Sequence, residues 1–296
     1  MPLHVFLVVL AAAFLHAGWN TLLKLRNRPA GHGAAIDPMR STLLLGVAAS
    51  LIALLALSVT GLPSPRAWPY ALASAVVHIA YYLLVGAAYR AADLSAVYPI
   101  TRGSAPLGSA LLAALLLGER LSPQSWAGVA CIGLGVIGMA TMALRHGGLT
   151  WTGFAFAAAN AGIVMLYTLI DGQGARLSAN PAGYTMLLEA LCGPMLVPAL
   201  VLTLRGPRRF GPTLAAALAE GRWWRALLGA SMSIAAYAAA LWAMTRAPIG
   251  AVAALREVSV LIGVLLGALV LRERVGLPRW IAAAVIVAGA MLVRLG

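Results

Sequence analysis

Charged side chains are what this sequence has least of. Asp, Glu, Lys and Arg together make up 10% of it, and Lys24 is the single lysine among 21 basic residues. A soluble domain carries roughly 25% charged residues, so most of this surface does not face water. Cysteine is almost missing too. Cys131 and Cys192 both fall inside apolar runs, read as small packing residues, and imply nothing about redox compartment. Acids are fewer than bases, which leaves a net charge of +13. The arginines stand singly or in pairs between apolar runs, where they suit loops and anionic headgroups. No stretch combines a basic patch with exposed aromatics, which argues against a nucleic-acid partner.

What is abundant is apolar surface: 62% of residues are hydrophobic, at a mean hydropathy of +0.91. A bilayer-spanning helix needs about 20 such residues. Runs of that kind cover residues 3–25, 39–59, 67–92, 95–117, 124–143, 150–171, 181–204, 222–245, 249–271 and 277–295. The stretches between them hold the helix breakers, as in TGLPSPR, RLSANP and LRGPRRFGP. Trp68, Trp126, Trp151, Trp223, Trp224 and Trp280 sit at run starts, where amphipathic rings favour the membrane interface. The first run lacks a basic leader, and His16, Trp19, Asn20 and Lys24 continue its helical phase, so it reads as a retained helix rather than a signal peptide. The expected fold class is all-α and polytopic, with ten transmembrane helices.

The chain contains one unit twice. RGSAPLGSALLAALLLGERLSPQSW begins at Arg102, and REVSVLIGVLLGALVLRERVGLPRW begins at Arg256. In one ungapped register Arg102 meets Arg256, Glu119–Arg120 meets Glu273–Arg274, and Trp126 meets Trp280. Leucine matches come easily in an apolar chain; matched Arg, Glu-Arg and Trp do not. Ten helices then divide into two five-helix repeats, residues 1–146 and 147–296. An odd number per repeat inverts the second copy, which is the architecture of secondary transporters with a site near the midplane. Loops after odd-numbered helices carry Lys24, Arg26, Arg28, Arg145, Arg205, Arg208, Arg209, Arg272 and Arg274. By the positive-inside rule that charge would put both termini outside.

Polar side chains inside a bilayer are costly and mark functional sites by default. Arg102 lies about seven residues into the fourth run, roughly 10 Å deep at 1.5 Å per residue, and Arg256 is similarly deep from the opposite face. The pair could hold a carboxylate or phosphonate bidentately. Equally, Arg256 could be satisfied by Glu257, Glu189 or Asp171, and Arg102 by carbonyls freed by Pro99 and Pro106. His16, Asn20 and Lys24 share one face of the first helix, with Lys24 also placed to snorkel into headgroups. His78, Tyr82 and Tyr89 form a polar-tipped aromatic stripe, and Asn160, Tyr167 and Asp171 repeat such a stripe on the sixth run. Tyr237 and Trp242 lie on the eighth. Glu189, mid-run in the seventh, is a candidate proton-coupling carboxylate or a permanent salt bridge. Lys24 falls opposite Asp171 when the repeats are aligned, which would suit paired gates.

Asp171-Gly172-Gln173-Gly174-Ala175-Arg176 also resembles the opening DGxxAR of the CDP-alcohol phosphotransferases, metal-dependent membrane enzymes. Their pattern goes on to a glycine and two aspartates, where this chain has Thr185, Glu189 and Gly193. One carboxylate is missing and the metals would lose a ligand, so no metal or other cofactor is expected.

The GER and RER turns (Gly118–Arg120, Arg272–Arg274), the helix starts YPITRGSAP and AALREVS, and FLHAGWNTLLK in the first helix resemble the ten-helix EamA-type members of the drug/metabolite transporter superfamily. The resemblance covers essentially the whole chain. It implies a multi-pass protein of a bacterial inner membrane that exports amino acids or other small metabolites, often coupled to protons. It also implies cytoplasmic termini, against the charge count. The expected function is thus a non-enzymatic carrier, acting by alternating access as a monomer or homodimer. Arg102, Arg256, His78, Tyr82, Trp19, Asn20, His16, Tyr98, Tyr237 and Trp242 would contact the substrate, and Glu189, Asp171, Glu257 and Lys24 would couple or gate. A lipid or lipid-linked-sugar flippase, a membrane enzyme and a sensory membrane protein are the rival expectations.

Overall fold

The computed structural model describes the backbone of residues 1–26, 38–91, 94–144, 151–206, 208, 210–219, 223–271 and 276–296. Within its helices it does not describe the side chains of 23–26, 38–42, 82, 85–91, 94–103, 139–144, 152–154, 157, 200, 202–205, 210, 217, 267–271 and 279. Among the described residues the regular structure is helical throughout. In chain order the helices are α1 (Leu3–Arg26), α2 (Pro38–Thr60), α3 (Trp68–Ala91), α4 (Leu94–Leu117), α5 (Pro123–Leu144), α6 (Trp151–Leu177), α7 (Pro181–Arg205), α8 (Phe210–Leu218), α9 (Trp223–Met244), α10 (Ile249–Arg256), α11 (Val258–Leu271) and α12 (Leu277–Leu295).

Among the described residues, each of the ten apolar runs is helical over most of its length. Five described stretches are long and apolar enough to cross a membrane: Leu3–Leu22, Leu43–Thr60, Pro181–Ala199, Trp223–Met244 and Ile249–Leu266. The protein is a multi-pass membrane protein, and large apolar side chains such as Leu55, Leu115, Trp151 and Leu277 accordingly stay exposed on its outer surface.

Three departures from the expected helices bear on the site. The sixth helix continues past Asp171 to Leu177, with Arg176 of its last turn paired to Glu119 of the turn after α4. A short α8 stands where only a loop was expected. The ninth run is broken: α10 stops at Arg256 and α11 restarts at Val258, with Glu257 N–H bonded back to Ala254 O at 3.0 Å. The corresponding α4 runs unbroken despite Pro99 and Pro106.

Packing crosses between the first five helices and the rest. α5 lies along α12, α2 along α7, α3 along α6, and α1 along α9; α3 also touches α7, and α2 touches α9. Small residues set the closest approaches. A Cβ on Gly289 would stand 2.8 Å from the Gly128 carbonyl oxygen, so α5 and α12 meet backbone to backbone. Both termini lie at one face, where the Met1 ammonium donates to Arg294 O at 3.3 Å. At that same face Asn180 caps α7, its Oδ1 accepting from Gly183 N–H at 3.0 Å while its Nδ2 donates to Thr60 O at 2.7 Å.

Candidate functional site

The broken helix borders a cleft. Arg256, Glu257 and Ala253 of α10 and the adjoining turn form one wall. Tyr167, Thr168 and Val164 of α6, with Ala105, Pro106 and Ser109 of α4, form the others. It is narrow: about 20 Å³ is open to a water molecule, and about 290 Å³ is empty when the open mouth is counted. Residues without bulk bring these helices together: Gly250 rests on Ala110, Gly108 faces the Met165 side chain, and Gly172 abuts Ile249.

Beside the cleft lies a buried polar cluster centred on Asp171, which is 0% exposed. Tyr184 donates its hydroxyl to Asp171 Oδ1 at 2.9 Å, and Tyr237 donates to Oδ2. Burying a carboxylate is tolerable only when its oxygens are occupied in this way. The Tyr237 ring also carries the Arg256 guanidinium, 5.2 Å from its centroid, a cation–π contact that strengthens in a water-poor interior. Asp171 and Arg256 are thereby linked through a phenol rather than by a direct ion pair. His78 stacks on Tyr167 at 4.4 Å and meets Tyr237 edge-on at 6.3 Å, while its Nδ1 lies 2.9 Å from Ser74 O. Tyr81, off the expected stripe, meets Tyr167 edge-on at 6.0 Å. Glu189, on α7 five residues after Tyr184, lies in the vicinity of Asp171.

Of the residues the sequence singled out, Arg256, Glu257, Tyr237, His78 and Asp171 therefore come together, with Glu189 nearby. His16, Trp19 and Asn20 contact one another along α1. Trp19 Nε1 points to His16 Nδ1 at 3.4 Å and Asn20 Nδ2 donates to His16 O at 2.7 Å, contacts within one helix. Trp242 is held edge-on to His4 and under Arg246. The side chains of Arg102, Tyr82, Tyr98 and Lys24 lie outside the described residues, and with them the arginine pair and the Lys24–Asp171 opposition.

A second polar centre was not foreseen. Glu119, in the GER turn, pairs with Arg176 at 2.5 Å and accepts from Ile249 N–H at 3.0 Å and Gly250 N–H at 3.5 Å. Pro248 precedes α10 and has no side-chain oxygen with which to cap it, so a carboxylate from another part of the chain does so. Gly118 makes the turn possible with φ +66°, a left-handed conformation that glycine adopts without steric cost. Arg176 also donates to Met244 O at 2.9 Å and Ala247 O at 3.2 Å. Asp171 and Arg176, the charged ends of the DGxxAR motif, are thus accounted for by phenols and by Glu119.

The sequence model of the EamA-like transporter family matches the chain twice, over residues 4–141 and 149–295. The chain belongs to the EamA-like transporter family. It is therefore a membrane transporter of the drug/metabolite transporter superfamily, and both matched segments contribute to the cleft. A solved structure described as "Crystal structure of protein" aligns with a TM-score of 0.75 at 21% identity, covering 100% of this chain and 98% of that one, a likeness of fold. No curated protein matches the chain.

Proposed function

We propose that this EamA-family protein is a secondary carrier that moves a small polar organic anion across a bacterial inner membrane, most readily outward, by alternating access. The observation that carries the reading is Arg256 at the break between α10 and α11, facing a cleft between the two matched segments. Discontinuous helices are where carriers of this kind expose backbone and charge to a substrate. Arg256 binds the anionic end, and the His78, Tyr167 and Tyr237 rings wall the site.

Ten spans arranged as two inverted halves, 1–146 and 147–296, complete the reading, and the packing pattern supports it. Exchanging α1 with α6, α2 with α7, α3 with α9 and α5 with α12 turns the α3–α6 contact into α9–α1 and the α3–α7 contact into α9–α2. The same exchange leaves α2–α7 and α5–α12 unchanged. A two-fold relation between the segments gives that pattern.

Counterflow in proteoliposomes tests the carrier. Uptake of a labelled organic acid should be accelerated by the same acid inside the vesicles and abolished in Arg256→Ala; flux that ignores the internal acid sinks alternating access. Proton coupling through Glu189 is tested separately. Glu189→Gln should leave uptake insensitive to a pH gradient, and a retained response would move the coupling elsewhere.

A further inference from the structure

One polar group in the membrane interior has no role so far. Asn160 is 6% exposed, and its Oδ1 makes no hydrogen bond. An orphaned, buried amide oxygen opposes folding by a factor of roughly 5 to 100. Thr168, on the same helix, avoids that penalty by donating to Val164 O at 2.7 Å. Asparagine is also a weak helix former, and leucine or alanine would fill the position more cheaply. A hydrogen-bond donor from outside the folded chain would satisfy that oxygen.

Its place on α6 says where such a donor would sit. At 100° per residue, Asn160, Val164, Tyr167, Thr168 and Asp171 fall within an arc of about 100°, one stripe along the helix. Val164, Tyr167 and Thr168 of that stripe line the cleft. Asn160 continues it about 6 Å beyond Val164, four residues at ~1.5 Å each, toward the N-terminal end of α6.

We infer that Asn160 reads a hydrogen-bond donor on the transported anion: a hydroxyl or N–H set several bonds away from the charged end that Arg256 holds, since Tyr167, level with that end, stands seven residues or roughly 10 Å along α6 from Asn160. The inference rests on the carrier reading above. A site built to receive a donor discriminates strongly against the analogue that lacks it, because its own polar group is then left unpaired.

The experiment uses the full chain in proteoliposomes and three pairs of acids: 4-hydroxybutyrate against butyrate, 5-hydroxypentanoate against pentanoate, 6-hydroxyhexanoate against hexanoate. The wild type should favour the donor-bearing member of at least one pair by roughly 10- to 100-fold in competition. Asn160→Leu and Asn160→Ala should bring that preference within about threefold while uptake of the plain acid continues, and Asn160→Gln, which keeps the acceptor, should retain part of it. If Asn160 only fills space, Asn160→Leu raises Tm and leaves the preference as it was, which overturns the inference. Wild-type uptake without preference overturns it as well and leaves the carrier reading standing. No uptake of any of these acids by the wild type removes the organic-anion reading and this inference together.

Discussion

Arg176 and Glu119 pair at 2.5 Å across the two family-matched segments, and the same carboxylate caps α10 a few residues from Arg256. One charge thus ties together the end of α6, the turn after α4 and the start of the helix that presents the cleft's arginine. The pair sits at the face where the chain termini meet, with the Asn180–Thr60 bond and the Ser64 N–H to Ser178 O bond of 2.9 Å at the same end of the bundle. Together these contacts fasten the two segments to each other at that end.

That fastening is expected to act as a latch. Glu119→Ala should lower stability by about 1.5–3 kcal/mol, the range for hydrogen bonds to a charged group in this part-buried pair, and should loosen the face it closes. With Cys131 and Cys192 replaced by alanine, a cysteine at Ser109 in the cleft should react several-fold faster with an impermeant thiol reagent applied from the terminus side. An unchanged rate would make the pair a static strut.

The latch also marks the limit of what the sequence could tell. The duplicated unit, the apolar runs and the GER and RER turns were legible because they are local or periodic, and they point directly to the family. Arg256 was legible because a guanidinium deep in an apolar run needs a reason. Glu119's partners were not: Arg176 and Ile249 lie far along the chain, and nothing local distinguishes a turn glutamate that faces solvent from one that caps another helix. The break at Glu257 was misplaced rather than unseen: Pro248 marks an interruption at the start of the ninth run, and the turn forms nine residues further on. Tyr184 escaped because its partner, Asp171, lies on the helix before it, and one aromatic in an apolar helix carries no signal of its own.

The two phenols on Asp171 should behave as one unit. Tyr237→Phe keeps the ring beneath Arg256 and removes only the hydroxyl, so the expected loss is about 1.5–3 kcal/mol, the range for a hydrogen bond to a carboxylate. Tyr184→Phe should cost a similar amount. The double variant should depart from the sum by more than about 0.5 kcal/mol, because both act on one acceptor. Additive losses in melting would mean that each phenol packs independently of the carboxylate.

Glycines offer a contrast within one protein. At Gly289 an added Cβ meets the Gly128 oxygen at 2.8 Å, so Gly289→Ala should force α5 and α12 apart and cost about 1–3 kcal/mol. At Gly162 on α6 the same Cβ meets nothing within 4 Å, and Gly162→Ala should gain about 0.5–1 kcal/mol from the restricted unfolded chain. Thermal melts of the two variants in one detergent check the pair. Equal shifts would mean that the α5–α12 seam is not closely packed.

Arg256 carries the strongest expectation, because two features of the guanidinium are used at once. Its charge borders the cleft, and the guanidinium carbon lies over the Tyr237 ring. Lysine preserves the charge but loses the planar fork and the stacking. Arg256→Lys should therefore retain transport with an apparent affinity about tenfold weaker, the equivalent of ~1.4 kcal/mol, whereas Arg256→Gln should abolish uptake of the anion altogether. Measuring KM and maximal rate separately decides between binding and structural roles. A substrate contact moves KM in the lysine variant with the maximal rate nearly kept, while a brace for the α10–α11 break lowers the maximal rate and Tm together. The second outcome would make Arg256 part of the scaffold and shift the search for the anion's partner to the other walls of the cleft.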